Sequence, residues 1–404
     1  MKSAERGRDG APAGPPPASE AASGAQASGA QAGATATGLT ATGPTTTGPT
    51  STGPTTTGRA ARATLAAAVL LLIALAVGVS VGPAGLSLPD VTGALLARLP
   101  WHPAATVPAI DTAIVWQIRL PRVVLGALVG AMLAGGGAAY QGVFRNPLAD
   151  PYLLGVAAGG GLGATIVIVA GGSPALLPPA AFLGAAGAVT LTYLLGAGAG
   201  RRGQPGAGPG MGSGTGAILL AGVAVAAMLT AVQTYLQQAH TQTLQAVYSW
   251  ILGGLAQATW SEVTLILPYV IVAAGILLAH RRLLDVLRIG ETEAGSLGVD
   301  VARLRLTVVM AATLGTAAAV SVSGLIGFVG IIVPHTVRLT AGASYRIVLP
   351  VSMIGGAAFL VLADVLARTV QSPDEVPIGV ITALAGAPFF LFILHSRRAR
   401  QELA

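Results

Sequence analysis

The chain has 404 residues, of which 53% are hydrophobic and 9% are charged, and its formal net charge is +7. Soluble domains carry about 25% charged residues, so this composition excludes an ordinary soluble protein and favours a polytopic membrane protein. Cysteine is absent and the five histidines are scattered, which excludes disulfides, thiol catalysis and a metal site built from Cys or His. The basic residues form no stripe with interleaved aromatics, so nucleic acid is not an expected partner.

The first 58 residues are rich in Ala, Gly, Pro, Ser and Thr and contain a TGPTTTGP-like repeat. Such a segment has too few bulky apolar groups to form a core, so it is predicted to be a disordered cytoplasmic tail. A docking role for this tail is the alternative. The first apolar run begins only after Arg62, too far from the start for a signal peptide. Residues 59–404 are expected to form the transmembrane domain.

Ten apolar runs of roughly 20 residues follow and predict ten transmembrane helices in an all-α fold. The runs cover approximately 63–84, 122–142, 152–171, 176–199, 215–236, 262–281, 304–323, 325–341, 347–367 and 377–395. The seventh and eighth runs adjoin at Gly324, where their separation is least marked. Glycine pairs such as Gly126/Gly130 and Gly155/Gly159 fit close helix packing in lipid, although the glycine-rich composition alone could also produce them.

The arginines indicate the orientation of these spans. With ten spans and an inward tail, fifteen arginines flank inner ends, and only Arg98, Arg119, Arg122 and Arg368 flank outer ends. This asymmetry follows the positive-inside rule and predicts that both termini are cytoplasmic. It also places residues 282–303, which are too polar to span, in an inward loop whose short helical pieces would break at Gly290, Gly295 and Gly298.

A polar segment, Arg145-Asn146-Pro147-Leu148-Ala149-Asp150-Pro151, separates the second and third spans. Two prolines this close are incompatible with a regular helix, because each lacks an N–H and clashes with the preceding turn. The segment therefore predicts a turn at the inner surface, with Asn146 capping the third span.

Two further residues limit the possible mechanisms. Asp364 is the single acid inside an apolar span and lies four residues before Arg368, so a local structural pair is favoured over a proton relay. Lysine occurs once, at Lys2. A phosphate-binding Walker A loop needs its own lysine, so any ATP hydrolysis would require a separate subunit.

Several segments together resemble the permease subunits of ABC importers for iron chelates, haem and vitamin B12. They are GGAAYQGVFRNPLADPYLLGV at 136–156, IRLPR at 118–122, GETEAGSLGV at 290–299, GLIGFVGIIVPHTVR at 324–338, ADVLAR at 363–368 and DEVPIGVITALAGAPFF at 374–390. The resemblance extends from about residue 60 to 396. It implies a vitamin B12 permease-like fold.

The resemblance also implies roles for particular residues. Arg119, Arg122 and Arg368 would receive acidic residues of an extracytoplasmic substrate-binding protein, whereas the residues alone equally allow contact with lipid head groups. A coupling helix in the inward loop would fit a cleft of the ATPase, whereas the residues alone suggest an ordinary solvated loop. The residues of this coupling helix are Glu291, Glu293, Ala294, Gly295, Leu297 and Gly298. The inner-surface motifs, read as structural or interface groups, comprise Asn146, Pro147, Asp150, Pro151, Pro334 and His335.

The function implied is import of an iron(III)–siderophore across the bacterial cytoplasmic membrane by alternating access, with haem or cobalamin as alternatives. The expected partners are an ATPase dimer, a binding protein, a second permease copy or paralogue, and lipid. No cofactor is expected on this chain, since ATP–Mg would bind the ATPase. The metal would travel inside its chelator, because no cluster of hard ligands is present to hold it bare. A secondary transporter, a membrane-embedded enzyme and a receptor or scaffold are the rival classes.

Overall fold

The computed structural model describes residues 56–97, 107–201 and 214–402, and no β-strand occurs within those ranges. Almost all of the predicted tail, and the arginines at 98 and 202, lie outside the described residues. The α-helices are α1 (Thr56–Ser80), α2 (Leu88–Leu96), α3 (Ala109–Ala113), α4 (Leu120–Val143), α5 (Val156–Val169), α6 (Leu177–Arg201), α7 (Gly214–Ala239), α8 (Leu244–Ile251), α9 (Trp260–Leu287), α10 (Glu291–Ser296), α11 (Val301–Ser323), α12 (Val329–Ala341), α13 (Tyr345–Thr369) and α14 (Ile378–Glu402).

The ten predicted spans all correspond to helices of this fold, which confirms the all-α prediction. Seven helical segments in the described ranges are long and apolar enough to cross a membrane, and α5, α12 and the apolar part of α14 are shorter. The boundary between the seventh and eighth spans is also confirmed. Helix α11 ends at Ser323, Gly324 has a φ of 67°, and α12 begins only at Val329.

In the predicted topology, one end of the bundle lies at the outer face of the membrane and the other at the inner face. These are the outer end and the inner end of the bundle. Helices α4 and α9 begin at the outer end, and α11 and α13 begin at the inner end. The inward loop is shorter than the predicted range 282–303, because α9 continues to Leu287 and α11 starts already at Val301. Leu284 and Leu287 are fully buried, so their packing prolongs α9 beyond its most apolar part.

Three helices form the centre of the fold. In the segments that contain α4, α11 and α13, between 67% and 78% of the most apolar 18-residue stretch is buried inside the protein. The corresponding share is only 22% to 33% in the segments that contain α1, α6, α7 and α9. The peripheral helices consequently present apolar side chains outward, as helices in contact with lipid do.

Glycine allows the closest helix approaches. A methyl group added to Gly130 of α4 would collide with the carbonyl oxygen of Gly356 of α13. One added to Gly159 of α5 would collide with the carbonyl of Gly184 of α6. Small residues let backbones meet in this way inside membranes, so these glycines reflect packing rather than composition alone. Gly155 serves differently, because its φ of 90° places a left-handed residue just before α5.

Candidate functional site

Three arginines meet at the outer end of the bundle. Arg119 ends a π-helical turn before α4, Arg122 lies in the first turn of α4, and Arg368 lies in the last turn of α13. Their exposed fractions are 3%, 6% and 2%, so all three are buried within the chain. The structure thus brings together the three residues predicted to dock a binding protein, and the docking role itself stays a prediction.

Arg122 binds two carboxylates at once. Its Nε donates to both carboxylate oxygens of Asp364 at 3.0 Å, and its Nη2 donates to Oδ1 at 2.8 Å. On its other edge, Nη1 and Nη2 donate to the two carboxylate oxygens of Glu375 at 2.7 and 2.8 Å. Bidentate pairs of this kind are among the stronger hydrogen bonds in proteins.

The other two arginines hold the end of α1. Arg119 Nη1 donates to the carbonyl oxygens of Val79 at 2.9 Å and Ser80 at 2.6 Å. Arg368 Nη2 donates to the carbonyl oxygen of Gly78 at 2.6 Å. These carbonyls belong to the last turn of α1, where a helix leaves acceptors unsatisfied and favours positive charge. The two guanidinium groups therefore tie α4 and α13 to α1.

The predicted local pair between Asp364 and Arg368 is present, but it is not the main contact of Asp364. Arg368 Nε lies 3.5 Å from Asp364 Oδ2, whereas Arg122 approaches to 2.8 Å. Sequence reasoning missed this partner because Arg122 is 242 residues away from Asp364 in the chain. The sequence held one signal of a further partner: Asp364 lies inside an apolar span, and acids in such positions are usually paired.

Glu375 was also missed, because the sequence placed it in a connection without a role. Hydrogen bonds from Arg122 lower the pKa of its carboxyl group. The residues that follow Glu375 are held by backbone hydrogen bonds to the turn after α8. The N–H of Ile378 donates to Gly253 and that of Gly379 donates to Leu252, at 3.2 and 3.1 Å.

The predicted coupling helix is α10, at the inner end. Ala294 is fully buried, and Glu291 pairs with Arg305 of α11 at 2.5 Å. The positions around Ala294 are open, with Glu293 and Gly295 exposed, and Leu297, directly after the end of α10, is exposed to 66%. The break predicted at Gly295 is wrong, because this residue lies within α10. The breaks at Gly290 and Gly298 are confirmed, and Gly298 has a φ of 83°.

Asp285 fixes the base of this loop. Its two carboxylate oxygens accept from the backbone N–H of Tyr345 and the hydroxyl of Ser344, both at 2.7 Å. It thereby caps α13 from α9, since the side chain of Ser344 makes no cap of its own. Arg288 Nη1 reinforces the contact by donating to the carbonyl of Ala343 at 2.7 Å.

The predicted turn between the second and third spans is present at the inner end. Pro151 opens a 3-10 helix over Pro151–Leu154, and Pro147 lies in the turn after α4. The capping role given to Asn146 is wrong. Its Oδ1 accepts from the N–H of Leu148, within the turn. Asp150 caps the 3-10 helix, because its carboxylate accepts from the N–H of Tyr152 at 2.8 Å, and α5 itself begins after Gly155 without a side-chain cap. Burial raises the pKa of Asp150 to about 6.

The remaining motif residues lie on α12. Pro334 is buried within the helix, and the ring of His335 meets the ring of Phe389 of α14 edge-on, with centroids 6.1 Å apart. Arg338 lies over the ring of Tyr345, 5.8 Å from its centroid. These contacts place the inner end of α12 against α13 and α14. A cavity of about 240 Å³ lies beside them, lined by Gln141, Gly142, Arg145, Pro147, Arg288, Arg338 and Tyr345.

The described residues thus form a bundle of ten apolar helices, with a buried charge cluster at one end and an exposed short helix at the other, which is the architecture of a multi-pass membrane protein. Residues 69–396 match the model of the FecCD transport family. The chain belongs to that family and is a permease of the ABC importer type.

Three relatives illustrate the range of the family. The chain is 43% identical over 348 residues to the cobalamin import system permease protein of Halobacterium salinarum, which covers 83% of this chain and 89% of that protein. It is 38% identical to the hemin transport system permease protein of Yersinia pestis, over 71% of this chain and 85% of that protein. It is 35% identical to the Fe(3+) dicitrate transport system permease protein of Escherichia coli, over 76% and 89%.

A solved structure shows the same fold. It is an inward-facing conformation of a metal-chelate type ABC transporter, 28% identical in sequence, with a TM-score of 0.71. The match covers 83% of this chain and 99% of the other. The predicted permease-like fold is thereby confirmed.

Proposed function

We propose that this chain imports a metal chelate across the cytoplasmic membrane by alternating access, driven by a separate ATPase. The family match over residues 69–396 carries this proposal. The chain would make and break no covalent bond, and ATP–Mg would bind the ATPase. A secondary transporter, the distant alternative, would instead run without ATP.

The substrate proposed first is an iron(III)–siderophore, in keeping with the sequence analysis and with the Escherichia coli relative named for Fe(3+) dicitrate. Cobalamin is the second candidate, because the archaeal relative at 43% identity is named for it. Haem is the third, supported by the name of the Yersinia pestis relative.

The proposed partners occupy opposite ends. An ATPase dimer would bind the exposed face of α10 at the inner end, where Leu297 and Glu293 are accessible. A binding protein would dock at the outer end, near Arg122. A second copy or paralogue of the chain would complete the route. Both termini would then be cytoplasmic, in the plasma membrane.

The contacts of α10 suit the transmission of a mechanical step. Ala294 packs this helix on the bundle and Glu291 ties it to Arg305 of the central helix α11. The opposite end of α11 is also held, since the carbonyl of Ser323 accepts from the N–H of Gly254 at 2.9 Å. A push on α10 would therefore move α11 as a rigid element, as switching of packed helices requires.

The proposal is tested by uptake into vesicles. The full chain is reconstituted with a candidate ATPase and binding protein, and labelled ferric siderophore, haem and cobalamin are followed with and without ATP. ATP-dependent uptake of one chelate supports the proposal and identifies the substrate. Uptake that proceeds without ATP, down a proton or sodium gradient, would contradict it and favour a secondary transporter.

A further inference from the structure

We propose that docking at the outer end is an exchange of carboxylates, in which Glu375 occupies Arg122 in the free chain and yields to an acidic residue of the binding protein. This inference rests on the proposed function. It makes Glu375 the residue that sets the affinity of docking.

The exposure of the partners singles out Arg122 among the three arginines. Arg119 and Arg368 donate to backbone carbonyls in the last turn of α1, which are fixed parts of the helix and not side chains that can swing away. Asp364, on one edge of Arg122, has only 2% of its side chain exposed. Glu375, on the other edge, has 31% exposed. An incoming group can therefore displace Glu375 while every other contact stays in place.

The chemistry of the exchange is balanced. Glu375 holds Nη1 and Nη2 of Arg122 through two parallel hydrogen bonds, the geometry in which an arginine recognises any carboxylate. An acidic residue that replaces it leaves the number of charges around Arg122 unchanged. A buried guanidinium is thus never left with only half of its partners, which would be costly.

The exchange also has a route to the rest of the bundle. Glu375 precedes Ile378 and Gly379 by three and four residues, and these are bonded to the turn at Leu252 and Gly253. The next N–H along that turn, of Gly254, donates to Ser323 at the outer end of α11. Release of Glu375 would loosen the segment that leads to Ile378 and Gly379, so docking would be transmitted through these hydrogen bonds to the outer end of α11.

The test compares two neighbouring acids in the full chain. Glu375→Gln and Asp374→Asn are reconstituted in nanodiscs, and the affinity is measured for the binding protein that supports uptake in the preceding assay. Removal of an internal competitor should tighten binding roughly tenfold in Glu375→Gln, the effect of one or two charge-assisted hydrogen bonds. Asp374 is exposed and has no hydrogen bond or ion pair among the described contacts, so Asp374→Asn should change affinity by less than about twofold.

A second measurement does not depend on affinity. The chain has no cysteine, so Asp374→Cys provides a single site for a spin label. The label should become more mobile when the binding protein docks, and it should already be mobile when Glu375→Gln is added. Melting temperatures of all variants show whether they fold.

Three outcomes are distinct. Tighter binding by Glu375→Gln together with a mobile label supports the exchange. Equal or weaker binding by a folded Glu375→Gln, in a chain whose wild type binds and transports, overturns the exchange and leaves the proposed function intact. A wild-type chain that neither binds any candidate binding protein nor transports overturns both.

Discussion

The outer and inner ends of this bundle treat charge in opposite ways. At the outer end, Arg119, Arg122 and Arg368 are buried and bound within the chain, and Asp364 lies between Arg122 and Arg368. At the inner end, a short helix is fixed on one face only and leaves Leu297 open. The difference shows that one membrane protein can satisfy buried charges at one end with internal ion pairs and leave a short helix accessible at the other.

The largest effect is expected at the centre of the outer cluster. Asp364→Asn removes the carboxylate that Arg122 and Arg368 share and leaves both guanidinium groups short of a partner in a buried site. Breaking a buried pair by removing one partner costs about 3–5 kcal/mol. Unfolding in mixed detergent, with Asp374→Asn as the control, measures the loss. A loss below about 1 kcal/mol would show that the cluster is not stabilised by this acid.

A smaller effect is expected from the matching acid at the inner end. Asp285→Ala removes the cap of α13, and helix caps are worth about 0.5–2 kcal/mol. The cost is lower than at Asp364 because 19% of the Asp285 side chain is exposed, so water can replace part of the lost bonding. The same unfolding assay ranks the two variants. A larger loss for Asp285→Ala than for Asp364→Asn would reverse the contrast between the two ends.

The dependence of stability on pH should have opposite signs at the two ends. The pKa of Asp150 is raised by burial to about 6, so its folded form gains protons first, and stability should rise as pH falls from about 6 to 4. The pKa of Glu375 is lowered by Arg122, so its contribution is present above about pH 4.3 and lost as pH falls further. Melting temperatures between pH 7 and 3 check both signs. Asp150→Asn should abolish the first change and Glu375→Gln the second.

The smallest effect on stability is expected at the coupling helix. Leu297→Glu alters an exposed side chain and should change the free energy of unfolding by less than about 0.5 kcal/mol. It should nevertheless weaken binding of the ATPase, because a charge replaces an apolar contact. Leu148→Glu is the control, because Leu148 is also exposed, at 54% against 66%, and lies in the inner-end turn after α4, away from α10. Equal loss of ATPase binding in both variants would mean that α10 is not the specific contact.

The sequence predicted the spans well and the charge network poorly, for a physical reason. Hydropathy is a local property, so the ten spans and the break at Gly324 could be found from neighbouring residues. The contact of Arg122 with Asp364 and Glu375 joins residues 242 and 253 positions apart, which no local pattern records. Asn146 illustrates a nearer failure, since a capping residue and a turn residue have the same side chain, and only the course of the backbone decides between them.

The proposed connection between a binding protein at the outer end and an ATPase at the inner end runs through this one chain. It is tested most directly by the rate of ATP hydrolysis of the reconstituted complex, measured with and without the loaded binding protein. The binding protein should stimulate hydrolysis in the wild type, and Leu297→Glu should lose this stimulation while its affinity for the binding protein is unchanged. A rate of ATP hydrolysis that stays the same although the binding protein is shown to be docked would contradict the proposed connection.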